Sequence, residues 1–369
     1  VIKVLVVDDS ALVRKLLTRA FAHEADVETR FARNGVEALG QLCDYQPDVV
    51  TLDIHMPEMD GLACLDRIMV ERPCPVVMIS ALTEEGAETT LEALRLGAVD
   101  FISKPGGALS LQMDEWGPEV VATVRAAAAA RLKPSLRLRE RVSRRIGART
   151  EASRAPARPV PQLDAHPNSG TKTPRGRATG DGLVLVGSST GGPPALEALL
   201  TALPAAFPWP ILVAQHMPAN FTGALARRLD ALCAIAVREV AQPTPLEPGV
   251  AYIGRGDGDL IVSRRPSGLI ALAAPARAAY LWRPSANRLV GSAMEHLPES
   301  QLIGVLMTGM GADGAEAMAA LHAGGGRTIA EAEETAVVWG MPGALVKAGG
   351  AGWIEPLPQI AERLLSLVP

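Results

Sequence analysis

Short apolar runs alternate with helix-length amphipathic stretches along the first third of the chain. The runs Lys3–Val7, Val27–Ala32, Val49–Leu52, Val76–Ser80 and Asp100–Ile102 read as five strands, separated by alanine- and leucine-rich segments. Such alternation predicts a doubly wound parallel α/β sheet with its site at the carboxyl ends of the strands. The pattern breaks near Ala126, where an alanine run to Ala130 ends a helix. Arg137, Arg139, Arg141, Arg144, Arg145, Arg149, Arg154 and Arg158 follow, then a stretch rich in Pro, Ser, Thr and Gly up to Gly180. With few apolar residues to bury, this segment is expected to be a flexible linker. A second alternation begins at Gly182. Gly182–Gly187, Ile211–Ala214 and Leu302–Met307 read as strands, and Pro193–Leu203 and a segment from about Gly314 to Ala323 as helices. Ala251–Ile253, Leu260–Val262 and Leu269–Leu272 look like short strands joined by Gly/Pro turns, which predicts an antiparallel insertion in a second α/β domain. The expected division is 1–125, linker 126–180, and 181–369.

Composition narrows the function classes. The 369 residues are 48% hydrophobic and 21% charged, with a formal net charge of -4, which gives no overall reason to bind nucleic acid or an anionic membrane. The dense arginines of the linker are the exception, but no aromatic residues are interleaved with them. Cys43, Cys64, Cys74 and Cys233 form no CxxC pair and read as thiols in a reducing compartment. No apolar run is long enough to span a membrane, and the chain opens on a strand ending in acids rather than a signal peptide. A cytoplasmic protein is expected.

The first candidate chemistry lies at the ends of the early strands. Strand one runs into Asp8-Asp9 and strand three into Asp53, so three carboxylates should meet in one crevice. They repel one another unless a hard cation sits among them, and an oxygen-only donor set suits Mg2+. Strand four ends with the Ser80 hydroxyl, and strand five leads to Lys104. Together these groups could receive a phosphoryl group. Asp53 would be the nucleophile, Mg2+ and Lys104 would neutralise developing charge, and Ser80 would bond the attached phosphate. Exposed acids at strand ends are the ordinary alternative for any one of them.

The second lies at Gly187-Ser188-Ser189-Thr190-Gly191-Gly192, between a strand and a helix. Centred on Ser189 it spells G-x-S-x-G, the turn that lifts a serine above a sheet beside free helix N–H groups. The Thr190 amide is the first candidate oxyanion donor. A plain Gly/Ser turn is the common alternative for this motif alone. Of six histidines, His23 and His55 belong to the first half and His166 to the linker, while His296 and His322 fall within helical patterns. His216 follows the Ile211–Ala214 strand directly and is the best base by position. Asp313, in the Gly-rich stretch after Met307, is the acid that fits. The order Ser…His…Asp differs from that of the α/β-hydrolases.

VVDDS, LDIHMPEMDGL, SAL and DFISKP resemble the receiver domain of two-component signalling. The resemblance implies phosphorylation of Asp53 by a histidine kinase, reorientation of Ser80 and Phe101, and a metal contact from the His55 carbonyl. GSSTGG, QHMP, RPSA, TGMGADG and TIAEAEETAVVWGMP resemble the chemotaxis protein-glutamate methylesterase (CheB) family. That family's serine, histidine and aspartate fall on Ser189, His216 and Asp313, with Met310 lining the oxyanion region. The implied activity is hydrolysis of glutamate γ-methyl esters on chemoreceptor helices, with deamidation of specific glutamines. It needs Mg2+ at the receiver and no cofactor for hydrolysis. The implied partners are the receptors and a chemotaxis kinase, with no nucleic acid and no membrane insertion. In the family the unphosphorylated receiver covers the active site. Two departures, Asp259 in GDGDL and Tyr280-Leu281-Trp282 before Arg-Pro-Ser, leave the triad untouched and bear on receptor docking. The alternatives are a gated hydrolase of another ester or amide, and a DNA-binding regulator, for which no basic recognition helix is present.

Overall fold

The computed structural model describes residues 1–81, 83–104, 109–130, 182–277 and 279–368. From residue 131 on, the expected linker lies outside the described residues. The N-terminal part runs β1 (Ile2–Val7), α1 (Ala11–Phe21), β2 (Val27–Ala32), α2 (Gly35–Tyr45), β3 (Val49–Asp53), α3 (Gly61–Glu71), β4 (Val76–Ser80), α4 (Glu84–Leu96), β5 (Asp100–Ser103) and α5 (Leu109–Ala128). Its five strands are all parallel, in the order β2-β1-β3-β4-β5. The order reverses at β1, so the crevice opens between the carboxyl ends of β1 and β3. Pairing of Val7 with Leu52 sets Asp8 beside Asp53. Side-chain caps start the helices cleanly: Ser10, Asn34, Asp60 and Thr83 each accept a backbone N–H three residues on.

The C-terminal part runs β6 (Leu183–Ser188), α6 (Gly192–Thr201), β7 (Ile211–Gln215), α7 (Ala219–Leu232), β8 (Ala236–Glu239), β9 (Thr244–Pro245), β10 (Val250–Ile253), β11 (Gly258–Arg265), β12 (Gly268–Pro275), α8 (Ala286–Met294), β13 (Leu302–Leu306), α9 (Ala315–Ala323), β14 (Arg327–Glu331), α10 (Met341–Lys347), β15 (Trp353–Glu355) and α11 (Leu357–Leu367). Seven strands form a parallel sheet, β15-β14-β13-β6-β7-β10-β8. The antiparallel piece is the β11–β12 hairpin with the short β9 on its edge.

One expectation needs correcting. The strand read at Ala251–Ile253 as part of the insertion is β10, a parallel member of the main sheet between β7 and β8. All four of its residues are buried, as a strand covered on both faces requires, whereas β11 becomes exposed toward its end. His296 also lies in the turn after α8, not within a helix. The order reverses again at β6, so the ends of β6, β7 and β13 converge on one crevice.

The two sheets are joined along α4 and α7. Leu91 and Leu94 of α4 meet Pro193 and Pro194 of α6 and Leu225 and Leu229 of α7, leaving a void of only about 10 Å³. Phe101 of β5 packs on Phe221 of α7, with ring centroids 4.3 Å apart. Arg228 of α7 lies 3.7 Å from Glu92 and 3.4 Å from Glu197, bridging α4 and α6 at the rim of this seam.

Candidate active site

In the N-terminal crevice, carboxylate oxygens of Asp8, Asp9 and Asp53 all lie within 4.8 Å of one another. Asp8 and Asp53 are buried and Asp9 is exposed. Lys104 Nζ reaches Asp53 Oδ1 at 2.8 Å and Asp8 Oδ2 at 3.2 Å. Burial, with the Asp53 charge behind it, pushes the Asp8 carboxyl above its usual range. Burial works against the Lys104 ammonium, but its bond and charge contact with Asp53, helped by Asp8, hold it above its ordinary value. Asp8 Oδ2 is buried and makes no well-formed hydrogen bond among the described residues. A buried, poorly satisfied oxygen in an all-carboxylate cluster is what a hard cation would complete, so these residues fit Mg2+.

The structure does not bring Ser80 into this cluster. Its buried hydroxyl accepts from Thr90 Oγ1 at 2.8 Å and lies 3.3 Å from the Gly86 carbonyl, turned toward α4. Phe101 likewise faces the seam rather than the acids.

In the C-terminal crevice, β6 ends at Ser188 and α6 begins at Gly192, so Ser189 occupies the turn between them. Gly191 has φ +76°, the left-handed region that favours glycine. A Cβ on Gly309 would meet Ser189 Cβ at 2.7 Å, so the loop after β13 can press on the serine only through a glycine. The two serines are not equivalent. Ser188 is fully buried and donates to Gln215 Oε1 at 2.7 Å, whereas the Ser189 hydroxyl makes no hydrogen bond among the described residues. Gln215 Nε2 donates to the carbonyls of Ser189 and His216, both at 3.0 Å, stapling the ends of β6 and β7 together. The His216 N–H donates to the Ser188 carbonyl at 3.0 Å, which sets His216 beside the serine turn.

His216 Nε2 and Asp313 Oδ2 are 2.9 Å apart. Nδ1 is buried without a partner among the described residues, which leaves it as the ring nitrogen available to a hydroxyl. Asp313 also accepts from Ser285 Oγ (2.9 Å), Ala286 N (2.6 Å) and Asn287 N (3.2 Å), so the first turn of α8 cradles its carboxylate. Burial pushes this carboxyl upward. The hydrogen bond and charge of His216, then the α8 donors, outweigh that and hold it below its usual range. The backbone N–H groups of Thr190 and Met310 make no hydrogen bond among the described residues. Both are therefore unengaged donors, Thr190 the residue after Ser189 and Met310 the residue after Gly309, which lies against Ser189.

Several residues at this site escaped the sequence reading. Gln215, Ser285 and Glu331 carry no motif chemistry of their own. Glu331, fully buried at the end of β14, accepts the Thr308 N–H at 2.8 Å, while the Thr308 hydroxyl holds the Thr190 carbonyl. Ser285 lay within a quoted motif, and its position as a helix N-cap was the available signal. Asp259, the departure in GDGDL, is buried. It accepts from Ser285 N at 2.8 Å and pairs with the buried Arg288, beneath α8. Leaving that arginine unpaired would cost several kcal/mol, on the order of 3–5.

The N-terminal sheet reaches this crevice. Thr190 Oγ1, next to Ser189, donates to Asp100 Oδ2 at the start of β5. Asp100 keeps some surface, yet the protein packed around its carboxyl raises it to about 6, against the opposing Thr190 and Phe101 N–H bonds and the nearby His216.

A family model described as CheB methylesterase matches residues 184–364, and one described as response regulator receiver domain matches residues 4–113. A protein-glutamate methylesterase/protein-glutamine glutaminase 2 from Rhodopseudomonas palustris is 56% identical over 365 residues, covering 99% of this chain and 97% of that protein. A protein of the same name, numbered 3, from Rhodospirillum rubrum is 51% identical over 362 residues, covering 98% and 95%. The solved Thermotoga maritima CheB methylesterase catalytic domain is 37% identical, covering 51% of this chain and 98% of that one with a TM-score of 0.49.

Proposed function

This chain belongs to the CheB methylesterase family, with a response regulator receiver domain in front, and from that premise we propose that it hydrolyses glutamate γ-methyl esters on chemoreceptors and deamidates receptor glutamines. The observation that carries the reading is the His216–Asp313 pair beside Ser189 where β6, β7 and β13 converge. Ser189 Oγ attacks the ester carbonyl as its proton passes to His216 Nδ1, and a C–O bond forms. The Thr190 and Met310 amides receive the oxyanion. Asp313 holds the imidazolium, which returns the proton to the departing methoxy oxygen, so methanol leaves and an acyl-serine remains. Water attacks that ester with His216 again as base, freeing glutamate and Ser189. With a glutamine substrate the same sequence releases ammonia.

In this reading residues 1–125 are the receiver, 126–180 the connector and 181–369 the hydrolase. Asp53 accepts a phosphoryl group from a chemotaxis histidine kinase, and Lys104 offsets its charge. Asp8, Asp9 and Asp53, with the His55 carbonyl, would hold Mg2+, which supplies charge neutralisation at the phosphoryl oxygens. Ser80 would turn from α4 toward the phosphate and Phe101 would move with it. The contact of Asp100 on Thr190, the residue after Ser189, supports gating by obstruction, and Phe101 on Phe221 helps to hold the two sheets together. Among the described residues no helix is long and apolar enough to cross a membrane. Work on receptor helices and exchange with a kinase would take place in the cytoplasm.

The deciding experiment measures methanol release from methyl-labelled chemoreceptor membranes by the full chain and by Asp53→Asn, with and without acetyl phosphate and Mg2+. The phosphodonor should raise wild-type turnover by about tenfold or more through a shifted docking equilibrium. The Asp53→Asn protein should keep basal turnover and lose the response. Equal activation of both proteins would refute gating through Asp53.

Docking should also respond to pH. Asp100 titrates near 6 when docked and near the ordinary ~4 when exposed, so the docked state binds its proton more tightly. Its support for docking is complete below about pH 4 and is lost as pH rises through 6. Hydrogen exchange of α4 and α7 amides, corrected for intrinsic rates, should therefore show a looser seam at pH 7.5 than at pH 5. Asp100→Asn should abolish that difference.

A further inference from the structure

We propose that Trp282 is a positioning residue for this hydrolysis: its indole fixes the plane of the His216 ring and favours the protonated imidazole. The inference rests on the hydrolase reading above. The two rings stack with centroids 5.5 Å apart and planes 9° from parallel. Among the described residues the His216 ring makes one hydrogen bond, from its Nε2–H to Asp313 Oδ2, which anchors Nε2 but leaves the ring free to turn about that point. A flat partner removes that freedom. The same short segment serves both ends of the relay. Trp282 covers the face of the imidazole, and three residues on, Ser285, Ala286 and Asn287 hold the Asp313 carboxylate.

The segment is itself held in place. The Met217 N–H donates to the Arg283 carbonyl at 3.4 Å, and Asp259 grips Ser285 N. On the loop after β13, a Cβ on Gly311 would come 3.4 Å from the indole Nε1, so the indole edge also abuts the residue after Met310. Leu281, immediately before, is exposed, whereas Trp282 is half-buried with its ring on the imidazole.

An aromatic face over a cation contributes about 0.5–2 kcal/mol. In the reaction His216 takes on positive charge as it accepts the serine proton, so the stack acts mainly in the transition state and should appear in kcat rather than KM. The charged groups seen to face His216 are Asp313 and, across the seam, Asp100, and neither is altered by substituting Trp282.

The test uses the full chain, acetyl phosphate, Mg2+ and methyl-labelled chemoreceptor membranes. Trp282→Leu should lower kcat about tenfold with apparent KM within about twofold, and Trp282→Phe should recover most of the loss. The acid limb of the pH–activity profile should move to lower pH in Trp282→Leu by about half a unit or more, because the charged ring has lost its partner. A protonated imidazole against an indole quenches its fluorescence. A pH-dependent emission change should therefore be present in the wild type and absent from both Trp282→Leu and His216→Ala. Wild-type kcat and an unmoved acid limb in a folded Trp282→Leu protein would overturn the proposal, as would an emission change that persists there. If the wild type releases no methanol at all, the hydrolase reading fails, and the fluorescence comparison still decides the stack.

Discussion

Ser189→Ala is expected to reduce methanol release by on the order of 10^4-fold or more, leaving only what oxyanion donors and binding can supply. The fold should survive, because the lost hydroxyl makes no hydrogen bond among the described residues. Its neighbour gives the contrast. Ser188→Ala removes the 2.7 Å bond to Gln215 Oε1 and leaves that buried acceptor unsatisfied, at a cost of about 1–3 kcal/mol of stability. Turnover by Ser188→Ala should nevertheless stay within about tenfold of wild type, since Gln215 Nε2 still holds the Ser189 and His216 carbonyls. The check is turnover alongside thermal unfolding for both variants. A folded Ser189→Ala protein with near-normal turnover would transfer the nucleophile elsewhere.

The second large effect concerns the relay. His216→Ala should cost on the order of 10^3-fold or more in kcat, and Asp313→Asn somewhat less. The double variant should be little worse than His216→Ala, because a carboxylate that works through an imidazole has nothing to orient once the imidazole is gone. Multiplicative losses would mean that the two side chains act separately, despite their 2.9 Å contact. Asp313→Asn also places an amide among the donors Ser285 Oγ, Ala286 N and Asn287 N, so a measurable loss of stability should accompany it.

Much of this arrangement was legible before any coordinates. The acidic trio could be read because Asp8, Asp9 and Asp53 each follow an apolar run, and a parallel sheet aligns such ends in one crevice. Ser189 and His216 could be read by the same reasoning, as residues immediately after β6 and β7. The reading slipped at Ala251–Ile253, where a short apolar run does not state its direction, and burial on both faces placed it in the parallel sheet. The burial of Asp259 could not be read in this way, because its partner Arg288 stands twenty-nine positions on, in α8.

The one-dimensional pattern of apolar runs determined the two α/β halves and which side chains stand at the carboxyl ends of their strands, while the strand order that gathers those ends into crevices came from the fold. Local signals suffice for the halves and their strand ends, because strand periodicity and strand-end position are properties of short segments. Tertiary structure alone decided which way those side chains turn and what they meet. Ser80 faces α4, His216 Nδ1 has no partner among the described residues while Nε2 pairs with Asp313, and Trp282 lies flat on the imidazole. The contact between Asp100 and Thr190 joins residues 90 positions apart, on different sheets. Such pairings depend on how whole elements pack, and packing balances many weak contacts across the chain, which no local window of sequence contains.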